Sequence, residues 1–184
     1  MRTWKLFVPI AAAALVVTGC SSETNKAETA TSAPPEACDF DETVDGVTAV
    51  QQATEAPDLQ IATDAKPPKE LVAKDLCVGN GVAATPADTV TVNYVGVGYD
   101  SRKVFDSSFE RGTPATFPLG GVIPGWTEGV SGMKPGGARL LLIPSELAYG
   151  PQGTPDGSIA PNEALAFIVE VDSIGEPSAS PAAS

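Results

Sequence analysis

Apolar residues recur along this chain in short stretches, separated by turns that are rich in glycine and proline. The clearest stretch is TVTVNYVGVGY at residues 89–99, which places Val90, Val92 and Tyr94 on one face and threonine or asparagine on the other. Such alternation predicts a β-strand with one buried face. The apolar runs ARLLLIP and ALAFIVEVDSI predict two further strands.

Weaker strand patterns occur in VTAVQQ, LQIATD, ELVAKDLC and ATFPLG, whereas GWTEGVSGM predicts a helix of about two turns with glycines at both ends. The segment SELAYGPQGTPDGSIAPNE predicts a long loop, and a loop of that length inside a compact domain is usually functional. A run of antiparallel strands with one helix against a face of the sheet is an α+β architecture. We therefore expect an α+β domain over residues 46–175, followed by a low-complexity, disordered tail over 176–184.

The first 20 residues have a different pattern. Arg2 and Lys5 precede LFVPIAAAALVV, an apolar run of 12 residues over 6–17, and Thr18, Gly19 and Cys20 follow it. A basic start, a short apolar run and small residues are typical of a secretory signal, and the run is shorter than the about 20 residues that a membrane-spanning helix needs. VTGC resembles a bacterial lipobox, so we expect a signal peptide over residues 1–19, lipidation of Cys20 and anchoring to the bacterial cell membrane. An ordinary signal peptide with a nearby cysteine is the alternative.

The polar segment that follows predicts a flexible tether over residues 20–45. If Cys20 carries the lipid, Cys38 and Cys77 remain, and outside the cytoplasm two such cysteines favour a disulfide. Two separate thiols are the alternative.

Composition removes several classes of function. The chain has 11 basic and 23 acidic residues, which disfavours nucleic acid as a partner because phosphate binding needs clustered cations. It contains no histidine, so Ser-His-Asp and Cys-His nucleophilic machinery and most transition-metal sites are excluded. No phosphate-binding or dinucleotide-binding glycine motif occurs. We expect neither a metal nor a cofactor.

Four separated pieces carry the remaining candidate chemistry. The motifs VNYVG, FDSS, VIPGW, EGV, AYG and L-x-F-x-V-E occur in this order over residues 89–174. Their order and spacing resemble the FKBP-type peptidyl-prolyl isomerase family. The resemblance implies a five- or six-stranded antiparallel sheet wrapped around one short helix, and a catalytic pocket in which Trp126 begins that helix at the bottom.

By this resemblance, the catalytic positions are Tyr94, Phe105, Asp106, Val122, Ile123, Trp126, Tyr149 and Phe167. Ile159 and Phe117 match apolar substrate-contact positions. Two rim positions depart from the family: Ala115 stands where an aromatic residue is frequent, and Thr154 where a histidine is frequent. The partners implied are proline-containing unfolded or exported polypeptides, together with macrolides such as rapamycin.

The chemistry is compatible with the absence of histidine, because isomerisation of an Xaa-Pro bond needs no covalent step. The twisted amide is less charge-separated than the planar one, so an apolar pocket favours it. An isomerase that assists folding of exported proteins is the first interpretation. A binding module that grips proline-containing segments with little turnover, and a surface lipoprotein with a vestigial pocket, are the alternatives.

Overall fold

The computed structural model describes residues 38–52 and 56–175. The predicted signal peptide, Cys20, most of the predicted tether and the predicted tail lie outside these residues. Within them, no helix is long and apolar enough to cross a bilayer. The strands are β1 Asp41–Val44, β2 Val47–Val50, β3 Asp58–Ile61, β4 Val72–Cys77, β5 Thr89–Gly98, β6 Val104–Ser107, β7 Ala115–Pro118, β8 Ala138–Ile143 and β9 Leu165–Gly175.

Two α-helices and three 3₁₀-helices accompany these strands in the described part of the chain. The α-helices are α1 Ser108–Arg111 and α2 Pro124–Val130. The 3₁₀-helices are Leu119–Gly121, Ser145–Leu147 and Gly150–Gln152. The last two lie within the long loop predicted before β9, which therefore has local structure of its own.

Six strands form the main antiparallel sheet, in the order β4-β8-β9-β5-β6, with β7 also paired to β5. The long central pair runs from Thr89 opposite Gly175 to Gly98 opposite Leu165. The predicted α+β fold, with a six-stranded sheet around a short helix, is confirmed.

Helix α2 packs against one face of this sheet. Trp126 and Val130 are buried in the same cluster as Leu141 and Ile143 of β8. Two glycines of α2 permit the close approach, because a Cβ on Gly125 would lie 2.3 Å from Cγ2 of Ile143 and one on Gly129 would lie 2.7 Å from Cδ2 of Leu141. The glycines on either side of Trp126 thus allow the helix to pack closely against the sheet.

The other face of the main sheet is covered by a second, three-stranded sheet in the order β1-β2-β3. Alternate residues of β2 and β3 are buried in a separate apolar cluster with Leu140, Leu142 and Ile168, and Val44 of β1 packs against it. The sequence pattern did not predict this second sheet.

The folded domain also begins earlier than residue 46. Phe40 is buried and residues 41–44 form β1, so the predicted tether over 20–45 is too long at its C-terminal end. Cys38 is joined to Cys77 at the end of β4 by a disulfide, with the two Cα atoms 5.9 Å apart. The second sheet is therefore covalently tied to the main sheet at its N-terminal end.

Candidate active site

A cavity of about 470 Å³ opens on the α2 side of the main sheet. All eight residues predicted as catalytic positions line this cavity, and seven of them are apolar or aromatic. Its lining consists of Tyr94, Phe105, Asp106, Phe117, Gly121, Val122, Ile123, Trp126, Tyr149 and Phe167.

The start of α2 forms the base of this cavity. Ile123 is the N-cap, and its carbonyl accepts the N–H groups of Trp126 and Thr127 at 2.9 and 3.1 Å. Pro124 occupies the first turn, where its missing N–H costs no hydrogen bond and its fixed φ suits a helix. This corner leaves Trp126 only 4 % exposed.

Aromatic rings surround Trp126 in edge-to-face geometry. Its ring centroid lies 5.3 Å from that of Tyr94 at 88° and 5.3 Å from that of Phe167 at 83°. Phe117 lies at 5.5 Å and 80°. Such pairs contribute roughly 0.5–1.5 kcal/mol beyond their buried area, so the rings hold one another in place and give the cavity rigid apolar walls.

Asp106 is the charged side chain in this lining, and it belongs to a polar cluster. The Tyr94 hydroxyl and the Arg111 guanidinium both donate hydrogen bonds to its carboxylate. Arg111 Nη2 also donates to the Tyr94 hydroxyl oxygen at 3.0 Å, and its Cζ lies 5.4 Å from the centre of the Tyr94 ring. The carboxylate is therefore oriented by two donors on one side of the cavity.

Burial is the main reason that the pKa of Tyr94 rises to about 12. The hydrogen bond to Asp106 raises this pKa further, whereas Arg111 opposes the rise. Tyr94 consequently remains a neutral hydrogen-bond donor to Asp106 throughout the physiological pH range.

Two serines hold this cluster against β5. Ser107 caps α1 by accepting the Glu110 N–H at 3.3 Å, and buried Ser108 accepts the Tyr94 N–H at 2.8 Å. The FDSS motif thus positions Asp106 directly and Arg111 through α1. Sequence reasoning missed Arg111 and α1, although the spacing of Ser107 and Glu110 is the signal of a capping box.

Tyr149 reaches the cavity from the other side. It is the N-cap of the 3₁₀-helix Gly150–Gln152 and is 41 % exposed, so its ring lies at the rim. Partial burial raises the pKa of its hydroxyl, and the negative charges of Asp106 and Asp156 add to the rise. The hydroxyl is therefore a neutral donor.

The structure does not place all predicted substrate contacts on the cavity wall. Phe117 lines it, but Ile159 is 2 % exposed within the core, and Ala115 packs against the same core from β7. The Thr154 hydroxyl is occupied inside its own loop, where it accepts the Ile159 N–H at 2.9 Å and shares a hydrogen bond with Ser158. Gly121 lines the cavity and was not predicted.

The geometry suits the binding of an apolar ring next to a few hydrogen-bonding groups. No histidine exists to act as a base, and in the described ranges no three acidic or cysteine side chains cluster in a way that would hold a metal ion. The described cavity is thus suited to enclose a substrate and to stabilise the charge distribution of that substrate without forming a covalent bond to the substrate.

Comparison with known proteins agrees with this geometry. The family model of the FKBP-type peptidyl-prolyl cis-trans isomerase matches residues 81–172, which is half of the chain. An FK506-binding protein of Streptomyces anulatus is 48 % identical over 108 residues, which are 58 % of this chain and 87 % of that protein. The isomerase Mip of Coxiella burnetii is 52 % identical over 101 residues, which are 55 % of this chain and 43 % of Mip.

A solved structure leads to the same assignment. The crystal structure of FkpA from Escherichia coli superposes with a TM-score of 0.55 at 47 % identity, over 61 % of this chain and 51 % of FkpA. The residues that the family model matches include the strands and the helix that build the aromatic cavity. The chain therefore belongs to the family of FKBP-type peptidyl-prolyl cis-trans isomerases.

Proposed function

We propose that this protein isomerises Xaa-Pro bonds in exported polypeptides at the bacterial cell envelope. The observation that carries the proposal is the apolar cavity above Trp126, walled by aromatic rings and bordered by a carboxylate that two donors orient. A prolyl ring is a compact apolar group that fits such walls, and proline is the residue whose preceding peptide bond populates both isomers.

Catalysis follows from stabilising the twisted amide. Rotation about the peptide bond costs about 18–20 kcal/mol because the amide loses its resonance. The twisted form has less charge separation than the planar form, so transfer from water to an apolar cavity favours it relative to the ground state. Trp126 and Phe167 enclose the prolyl ring in this proposal and exclude water from the rotating bond.

Three polar groups hold the rest of the substrate. The Ile123 N–H and the Tyr149 hydroxyl donate to substrate carbonyls, which fixes the chain on both sides of the bond that rotates. Asp106 sets the electrostatic surroundings of the twisted carbonyl, and its carboxylate is kept in place by Tyr94 and Arg111. No side chain needs to change its protonation state.

The test is a protease-free cis-trans exchange assay on peptides that differ in the residue before proline. Acceleration that is lost in both Asp106→Val and Phe167→Tyr would support the enzyme and its site. A peptide that binds without acceleration would contradict the proposal and favour the binding module.

The place of action is proposed from the sequence alone. A lipid on Cys20 would hold the folded domain outside the cytoplasm, at the end of the polar segment that precedes Cys38. Membrane fractionation of cells that express the full chain or Cys20→Ser tests this, together with labelling by a radioactive fatty acid. Loss of label and release from the membrane are expected for Cys20→Ser, whereas an unlabelled parent would contradict lipid anchoring.

We further propose that macrolides occupy the same cavity, in agreement with the name of the Streptomyces anulatus relative. Calorimetric titration with rapamycin tests it, with Phe167→Tyr as the comparison. Absence of binding at high micromolar concentration would contradict an intact ligand pocket.

A further inference from the structure

Glu163 is a buried acidic residue that the proposed mechanism does not use. It is only 3 % exposed and lies two residues before the buried start of β9 at Leu165. Its Oε1 accepts the Ser101 N–H at 3.0 Å, and its Oε2 accepts the Ala160 N–H at 2.9 Å. One carboxylate thus joins the turn after β5 to the loop before β9.

The surrounding chain leaves room for this carboxylate. A Cβ on Gly98 would lie 2.3 Å from Glu163 Oε1, so a larger residue at the end of β5 would displace it. The Tyr99 N–H donates to the Ala164 carbonyl at 2.8 Å and holds the two segments together beside it. The ion pairs found in the described ranges involve other acids, so Glu163 is held there by backbone N–H groups.

These hydrogen bonds favour the ionised form. Burial of Glu163 opposes its ionisation, but hydrogen bonds from the N–H groups of Ala160, Ser101 and Asp100 and from the Ser101 hydroxyl together outweigh burial, and the pKa falls below its usual value. Hydrogen bonds to an ionised acceptor are about twice as strong as those between neutral groups. The connection is therefore a charged one at neutral pH.

The segment that Glu163 fastens is the one that carries Tyr149 to the cavity rim. The Asn162 N–H donates to the Gly150 carbonyl at 2.8 Å, so the two ends of this loop meet next to Tyr149. Asn162 has a φ of +59°, an uncommon conformation for a residue other than glycine. Glu163 is the next residue, and its hydrogen bond to Ser101 fastens this end of the loop to the turn after β5.

We propose that Glu163 is a positioning residue for isomerisation. Its carboxylate fixes the loop between β8 and β9, and this loop holds the Tyr149 hydroxyl at the cavity. This inference rests on the proposed role of Tyr149 in binding a substrate carbonyl. The position of the Tyr149 hydroxyl then depends on a side chain that does not itself line the cavity.

Glu163→Gln tests the role with little change of volume. The amide keeps one acceptor oxygen but presents an NH₂ group to the second backbone N–H. We expect kcat/KM to fall about fivefold to tenfold when Tyr149 is present, and less than about twofold in a Tyr149→Phe background. Equal losses in both backgrounds, or no loss in either, would overturn the proposal.

Glu170→Gln is the matched control. It makes the same chemical change on β9, in a residue that does not line the catalytic cavity. We expect its kcat/KM to match the parent. A loss equal to that of Glu163→Gln would show an unspecific response to neutralising a buried acid in this part of the chain and would contradict the positioning role.

Amide hydrogen exchange measured by NMR gives a readout that does not depend on activity. The Ser101 and Ala160 amides of the parent should exchange more slowly than exposed amides of the two loops that contain them, and Glu163→Gln should remove that protection. Fast exchange of both amides in the parent would overturn the proposal even if the variant failed to fold. An inactive parent with protected amides would instead refute the proposed function and leave the anchoring of the loop intact.

Discussion

Gly96 of β5 stands opposite Phe167 of β9, and its missing side chain makes room for two aromatic rings of the cavity. A Cβ at this position would lie 2.7 Å from Cζ of Phe105 and 2.7 Å from Cε1 of Phe167. The centroids of these two rings lie 5.5 Å apart, with planes at 90°. The wall of the cavity therefore depends on a glycine that does not itself line it.

Gly96→Ala should displace both rings, because their edges already fill the space that the methyl group would take. Overpacking of this kind costs roughly 1–3 kcal/mol, and we expect a comparable loss of stability with at least a tenfold lower kcat/KM. Urea unfolding followed by tryptophan fluorescence, together with the exchange assay, measures the two effects. Gly120→Ala is the control, since its Cβ would meet only the Pro86 carbonyl at 3.6 Å. Equal effects in both variants would contradict the explanation.

Arg111→Met should affect activity more than stability. Its ion pair with Asp106 is about half exposed, and exposed pairs contribute about 0–1 kcal/mol. Asp106 would lose one of its two orienting donors, so we expect a several-fold lower kcat/KM with a nearly unchanged unfolding midpoint. Lys103→Met, which removes an exposed cation from the turn before β6, is the control for net charge. A lower midpoint with unchanged activity would show that Arg111 serves the fold alone.

Tyr94 should titrate late in an alkaline absorbance titration. Its native pKa of about 12 exceeds the ordinary value of 10, so the unfolded chain loses this proton first. Stability from this group is therefore complete below pH 10 and is lost as the pH rises towards 12. Tyr94→Phe should remove the latest tyrosine step and flatten that decline. A Tyr94 that ionises near pH 10 in the folded protein would contradict its burial against Asp106.

The sequence pattern predicted correctly those elements in which a regular spacing of apolar residues extends over many residues. Strand β5 follows the alternation of residues 89–99, because one of its faces packs on α2. The predicted helix around Trp126 is present as α2, extended to Pro124 at its start. The cavity residues were found by motif, since they come from several separate elements and none is distinctive alone.

The features that were missed depend on contacts between distant segments. Strands β1, β2 and β3 have four residues each, and so short an alternation does not reveal whether a strand extends the main sheet or forms another. Arg111 lies on a single-turn helix, and Glu163 binds backbone N–H groups, which leave no mark in the sequence. Resemblance to the family placed Thr154 at the rim and Ile159 at a substrate contact, because the sequence pattern does not show how their loop folds.

The disulfide should stabilise the domain without serving the active site. Cys38 and Cys77 are 39 residues apart, and a crosslink over such a loop contributes about 3–4 kcal/mol through the unfolded chain. Cys38→Ala with Cys77→Ala should lower the unfolding free energy by that order, with kcat/KM kept within about twofold at 25 °C because the second sheet covers the opposite face. Mass spectrometry of non-reduced peptides checks the bond itself. Two free thiols in the purified protein would refute it.

Glu170→Gln should stabilise the protein at neutral pH. Glu170 Oε1 is buried and has no hydrogen-bond partner among the described residues, and burial raises the pKa of this carboxyl. Because the native pKa lies above the unfolded one, the native state loses stability as the pH rises through it. Glutamine carries no charge, so the advantage of the variant should be absent at low pH and complete above the native pKa. Thermal unfolding from pH 4 to pH 8 measures the difference, and a variant that is less stable than the parent at pH 8 would show that the carboxylate has a partner.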